Sequence, residues 1–157
     1  MQEDALRARV RAYFEKRLKR IQELFAQRHD PPQQRTFLAL VRMQEEMEKR
    51  TYSPEEFTKV LKGLEERGEK RLIAEIELHQ RAISDLERNE YTLARDLLRI
   101  ELFVGKRSLE ELEESPALIL TVGKAYYEDR RNEFQEVKEL FRLIETKTSG
   151  LKISRLN

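Results

Sequence analysis

The sequence predicts an all-α protein, a bundle of about five helices around one long central helix with no substantial sheet. Three observations carry this. Residues 69–104 place Leu72, Ile76, Ile83, Leu86, Leu93, Leu97, Ile100 and Val104 in steps of three and four, with His79 and Glu90 filling two polar slots, so the series keeps returning to one helix face. Neither proline nor glycine interrupts that stretch before Gly105, which reads as its C-cap. No β-rich region, low-complexity linker or internal repeat occurs elsewhere. At 1.5 Å per residue such a helix runs roughly 50 Å. Ile73, Tyr91, Ala94, Leu98, Leu102 and Phe103 widen the stripe, so the helix is expected to touch several others, with Leu93, Leu97 and Ile100 in the core.

Composition narrows the class. The chain has 157 residues, enough to bury a core. Its 31 basic and 30 acidic residues nearly cancel, which is unlike the single-sign composition of a disordered tail and argues against indiscriminate coating of DNA. A charged fraction of 39% without cysteine suits the surface ion-pair networks of a thermophile. Lack of cysteine excludes disulfides, thiolate metal sites and cysteine nucleophiles. No apolar run approaches the roughly 20 residues needed to span a bilayer, and no apolar leader opens the chain, so a cytoplasmic protein without a membrane partner is expected.

The elements come in order along the chain. Residues 2–28 carry Leu6, Val10, Phe14, Leu18, Ile21 and Phe25 on one face, and Asp30-Pro31-Pro32 stops the helix. Its outer face is basic (Arg7, Arg9, Arg11, Lys16, Arg17, Lys19, Arg20), and is read first as solvated or paired with acids on a neighbouring helix. A second helix spans residues 34–50, with Phe37, Leu38, Leu40, Val41, Met43 and Met47 as its core side. Thr51-Tyr52 links it to a third, where Ser53, Pro54 and Glu56 form a capping-box start. Gly63 weakens that helix and Gly68 is expected to end it. After Gly105, Ser108 and Glu111 offer a capping box for a short helix over residues 109–114, where Glu110, Glu111, Glu113 and Glu114 gather. Ser115-Pro116 opens a last helix over residues 116–146. Its first half, ALILTVGKAYY, is apolar almost all round and implies deep burial or a partner surface. The helical domain thus covers 1–147, and 148–157 form a tail, loose or strand-like from Ser149-Gly150, or the start of a missing second domain.

Catalytic chemistry finds no foothold. His29 sits beside a loop break. His79 lies on the central seam with Glu75 one turn before it, but a carboxylate-bridged metal bundle needs two Glu-x-x-His pairs and further glutamates, and position 76 is Ile. A core histidine hydrogen-bonded to a neighbouring helix is the better reading, and Glu90 marks where the helix leaves the core. No phosphate loop, nucleophile elbow or zinc-protease motif is present, so no enzyme, cofactor or metal is expected.

Leu86-Glu87-Arg88-Asn89 followed by Arg95-Asp96-Leu97-Leu98-Arg99-Ile100 resembles the central helix of GINS subunits, and the likeness spans residues 35–145. The resemblance places Leu109 to Glu114, Ser115-Pro116 and Tyr126-Tyr127 where that family has an acidic connection and a helix with paired aromatics. It implies a non-enzymatic DNA replication subunit that assembles with a paralogous subunit, the MCM helicase and a RecJ-like partner. It also implies a small β-rich domain after the helices, which the ten or so residues past the last helix do not supply. Independently of the resemblance, residues 117–127 offer more apolar surface than one neighbour covers, so an oligomer is expected with its interface on Leu118, Ile119, Val122, Tyr126 and Tyr127. The alternative is a small nucleic-acid-binding subunit of a CRISPR-type ribonucleoprotein, with Arg9, Lys16, Arg17 and Arg20 on phosphates.

Overall fold

The computed structural model describes the backbone of residues 2–156 and the side chains of residues 5–148. Among the described residues there are six helices and no strand: α1 (Gln2–Ala26), α2 (Pro31–Glu48), α3 (Pro54–Glu87), α4 (Thr92–Glu114), α5 (Pro116–Val122) and α6 (Lys124–Leu156). The all-α class follows from the 3.6-residue periodicity that fills the chain. The helices form two compact units, Tyr13–Arg81 and Met1–Ala12 with Ala82–Asn157.

In the unit of residues 13–81, Phe14, Ile21 and Val41 are buried together with Tyr52 and His79. Pro31 and Pro32 do more than stop the preceding helix. They form the first turn of α2, where a missing N–H costs nothing, so α2 begins three residues before the expected start. It ends at Lys49, which adopts the left-handed conformation (φ 57°) while the Lys49 and Arg50 amides close back on Glu46 and Glu45 carbonyls. That is a Schellman ending built on a residue with a Cβ. Tyr52, expected only to link, is buried: its amide donates to Glu45 Oε2 at 2.7 Å, its hydroxyl bonds Glu48, and the Arg50 guanidinium lies 4.8 Å from its ring centre. The serine half of the capping box forms as the sequence indicates, with the Glu56 amide donating to Ser53 Oγ at 3.2 Å, while Glu56 Oε1 accepts from the Ser53 hydroxyl rather than its amide.

Two expectations fail in this unit. Gly68 does not end a helix. It lies inside α3, where a Cβ would sit 3.0 Å from Phe37 Cζ, so the glycine admits the ring rather than capping. Leu40, Met43 and Met47 are not core: they are 41%, 56% and 82% exposed, because they lie roughly 100–160° round α2 from the buried Val41. His79 is buried, as expected. Its Nδ1 meets the Glu75 carbonyl at 2.7 Å, Arg17 Nε donates to Nε2 at 3.4 Å, and Phe14 packs against the ring edge-on.

In the other unit the expected central helix is broken. Asn89 takes φ 60°, the Asn89 amide donates to Leu86 O, and the Glu90 amide reaches back to Asp85 O at 2.9 Å. This second Schellman motif ends α3 and leaves Glu90 in the turn, outside any helix. A break of this kind resets the angular phase of the next helix. Ala94 and Leu98 are therefore buried, whereas Leu93 and Leu97 are half-buried and Ile100 is exposed, against the expected core set.

α4 runs without interruption through Gly105 and Ser108, so neither the C-cap nor the separate helix over 109–114 exists. At Gly105 a Cβ would lie 3.1 Å from Phe134 Cδ2, and the glycine instead lets α6 come close. Contacts Glu113–Tyr127, Gly105–Phe134, Arg95–Glu145 and Tyr91–Lys147 descend α4 while they ascend α6, which makes the two helices antiparallel. Leu98, Leu109 and Leu112 of α4 and Val137, Leu140 and Ile144 of α6 are buried, as is Val10 of α1 in the same unit. The expected 116–146 helix is divided at Gly123 (φ 96°, ψ 141°), a conformation that L-residues avoid. The backbone of α6 stays helical to Leu156, so the departure expected at Ser149-Gly150 does not occur, and the side chains of that tail lie outside the described residues.

Two substitutions test the helix endings. Gly63 sits inside α3 with Arg67 Nη1 at 3.6 Å as the nearest atom to a built Cβ, so Gly63→Ala should stabilise by about 1 kcal/mol through helix propensity. Lys49→Gly should gain about 1 kcal/mol by relieving the left-handed residue. Urea denaturation reads both, and a loss of stability in either would contradict the local backbone described.

Candidate protein-interaction surface

Ser115-Pro116 starts α5 where the sequence signals it: Ser115 is extended (φ −130°, ψ 90°) and Pro116 opens the first turn. The Leu118 amide donates to Ser115 O at 2.9 Å, and Gly123, whose amide closes on Ile119 O, ends the helix after seven residues. No residue of α5 is buried, although five of the seven are Ala, Leu, Ile or Val. Leu120 is 85% exposed and Leu118 and Val122 are each 40% exposed, with Ile119 half-buried. A short helix with no charge of its own thus presents its apolar side chains to the surroundings. A monomer ordinarily limits such patches.

The two tyrosines beside it differ. Tyr127 is half-buried and donates its hydroxyl to Glu113 Oε1 at 2.7 Å; this hydrogen bond, then burial, raises its pKa. It fastens the start of α6 to the acidic end of α4. Tyr126 is exposed, with the Arg130 guanidinium 5.6 Å from its ring centre. Of the five residues expected at the interface, Leu118, Val122 and Tyr126 are open, while Ile119 and Tyr127 are half-covered. Periodicity assigns Ile100, Phe103 and Val104 of α4 to the buried stripe and does not single out Leu120, yet all four are more than half exposed. Their signal is an apolar residue lying opposite a face that is itself apolar.

The basic side of α1 is extensively engaged. Arg9 forks onto two carboxylates, with Nη2 3.0 Å from Glu136 Oε2 and 3.1 Å from Glu139 Oε2. Arg7 donates to Asn89 Oδ1 at 2.9 Å, and Arg11 lies 3.1 Å from Glu87. Among the expected phosphate contacts, Arg9 belongs to one unit and carries this fork, while Lys16, Arg17 and Arg20 belong to the other. Arg17 is half-buried against His79, and Lys16 and Arg20 are exposed. The Arg9 hydrogen bond holds the Glu139 carboxyl below its ordinary value of 4.5.

Among the described residues no three His, Asp or Glu side chains gather as a metal set. No helix among them is long and apolar enough to cross a membrane. No protein-family model, curated protein or solved structure matches the chain.

The Arg9 fork predicts a pH dependence. A carboxyl whose pKa is lowered in the folded state contributes stability that is present above its ordinary value and lost as pH falls through the folded value. The thermal midpoint of the wild type should therefore drop towards that of an Arg9→Met variant as pH falls below 4.5, the two curves running parallel above it. Curves that stay parallel throughout would dissociate Glu139 from the fork.

Proposed function

We propose that this chain is a non-enzymatic assembly subunit, cytoplasmic and of the GINS type, that joins the DNA replication machinery through helix–helix contacts centred on α5 and the first turn of α6. The observation that carries the proposal is the exposure of α5: a helix of apolar residues, none of them buried, held at a fixed place by the Gly123 turn and the Tyr127–Glu113 bond. Burying Leu118, Leu120 and Val122 against a partner helix would yield roughly 1.5–3 kcal/mol for each side chain fully covered. The resemblance of Arg95-Asp96-Leu97-Leu98-Arg99-Ile100 to the GINS central helix supplies the identity of the partners: a paralogous subunit, the MCM helicase and a RecJ-like protein. The engagement of Arg7, Arg9 and Arg11 with groups of this same chain favours assembly over phosphate binding by α1.

Affinity purification of the tagged chain from its source, with the bound proteins identified, tests this. The reading expects MCM, the RecJ-like protein or a paralogue to be recovered, and the doubly charged variant Ile119→Asp/Val122→Asp to lose them while circular dichroism shows helicity nearly intact. Equal recovery by the variant would displace the interface from α5. Recovery of nucleic acid alone, released with a steep dependence on salt, would instead favour the basic face of α1.

A further inference from the structure

α4 carries a second apolar face. One side of the helix (Ala94, Leu98, Leu109, Leu112) is buried, and Gly105 on that side receives Phe134 of α6. At 3.6 residues per turn, Ile100, Phe103 and Val104 lie on the opposite side. They are 56%, 67% and 52% exposed, and the half-buried Leu97 borders them. The stripe has opposite charges at its two ends on the same face: Asp96 one turn before Ile100, and Arg107 one turn after Phe103, 46% and 72% exposed at the side chain. Between them Arg99, 62% exposed at the side chain, flanks the stripe on the Phe103 side, and the strip of Ile100, Phe103 and Val104 itself is apolar.

We infer that this face of α4 pairs with the same face of a second copy of the chain, in an antiparallel, two-fold arrangement. The charge pattern selects both occupant and direction. With the axis crossing between residues 101 and 102, Ile100 of one copy meets Phe103 of the other, Leu97 meets Val104 on the flank, and Asp96 meets Arg107 at each end. A two-fold interface needs a self-complementary surface, and an acid at one end with a base at the other supplies it only when the helices run in opposite directions. A parallel pairing sets Asp96 against Asp96 and Arg107 against Arg107. The apolar residues give the affinity and the end charges fix the register. Both charges have neighbours within their own helix, Arg99 at 2.6 Å and Arg95 at 3.6 Å from Asp96, and Glu111 at 3.9 Å from Arg107. The Arg99 and Glu111 contacts are exposed one-turn pairs, which contribute little and can be shared with a second copy.

This surface is distinct from α5, and its test separates the two. Sedimentation and light scattering of the full chain, over a dilution series from millimolar to sub-micromolar, should show twice the 18.8 kDa monomer mass at the concentrated end. Phe103→Glu should weaken that association by roughly tenfold or more. Asp96→Arg alone and Arg107→Asp alone should each weaken it, and the two together should restore it. The Ile119→Asp/Val122→Asp variant should dimerise like the wild type. Phe103 and Arg107 are exposed and Asp96 is half-buried, none of them in the core, so helicity by circular dichroism should be nearly unchanged in each variant. A wild-type chain that stays monomeric at millimolar concentration overturns the inference and leaves the face to another protein. So does a dimer indifferent to Phe103→Glu, or a charge swap that fails to restore association.

Discussion

The left-handed backbone of Asn89 is the constraint on which the second unit depends. Without it α3 would continue, and the stripe of residues 72–104 would remain one seam on one rod. With it, α4 restarts at a new phase, turning Ala94 and Leu98 towards the core and Ile100, Phe103 and Val104 away from it. Asparagine tolerates this region better than other residues with a Cβ, and Arg7 donates to its side-chain oxygen. The turn also leaves the two carbonyls Asp85 O and Leu86 O satisfied by the Glu90 and Asn89 amides, so the break exposes little unpaired backbone.

Electrostatics in this chain chiefly fastens elements together. Cations of α1 reach carboxylates or carbonyl oxygens that are far away in sequence, and Arg50 with Glu56 ties the α2–α3 link in the same manner. The Glu56 carboxyl is held below its usual range by that arginine. Each contact is exposed and weak alone. Their number lets a chain this rich in charge hold its helix ends in place while apolar side chains on α4 and α5 stay uncovered.

Much of the fold was legible in the sequence because helix periodicity is strong wherever a face is buried. α1, the Ser53 capping box, the Pro116 start and the burial of His79 all carry local signals that the structure obeys. The breaks were not legible, because a spacing of three and four can run across a turn by coincidence. The clue at Asn89 was the run Glu87-Arg88-Asn89-Glu90, four residues without an apolar side chain, and at Gly123 a glycine inside an apolar run. Nor does an apolar pattern say which of two faces gains a cover. Met43, Met47 and Ile100 fit the core pattern for that reason and lie outside the core. The interaction surface was half-legible: α5 stood out by composition, whereas the exposed side of α4 emerged only once α6 had claimed the other.

The Arg9 fork has a consequence for the order in which the molecule can be completed. Its partners Glu136 and Glu139 lie 127 and 130 residues downstream. α4, α5 and α6 are neighbours in sequence and can pair as soon as they exist, since short loops close quickly. The first turns of α1 are made before α6 and cannot form these contacts until α6 follows. Arg7 and Arg11, whose partners Asn89 and Glu87 come earlier in the chain, can fasten first, so the Arg9 fork is the late contact of the three.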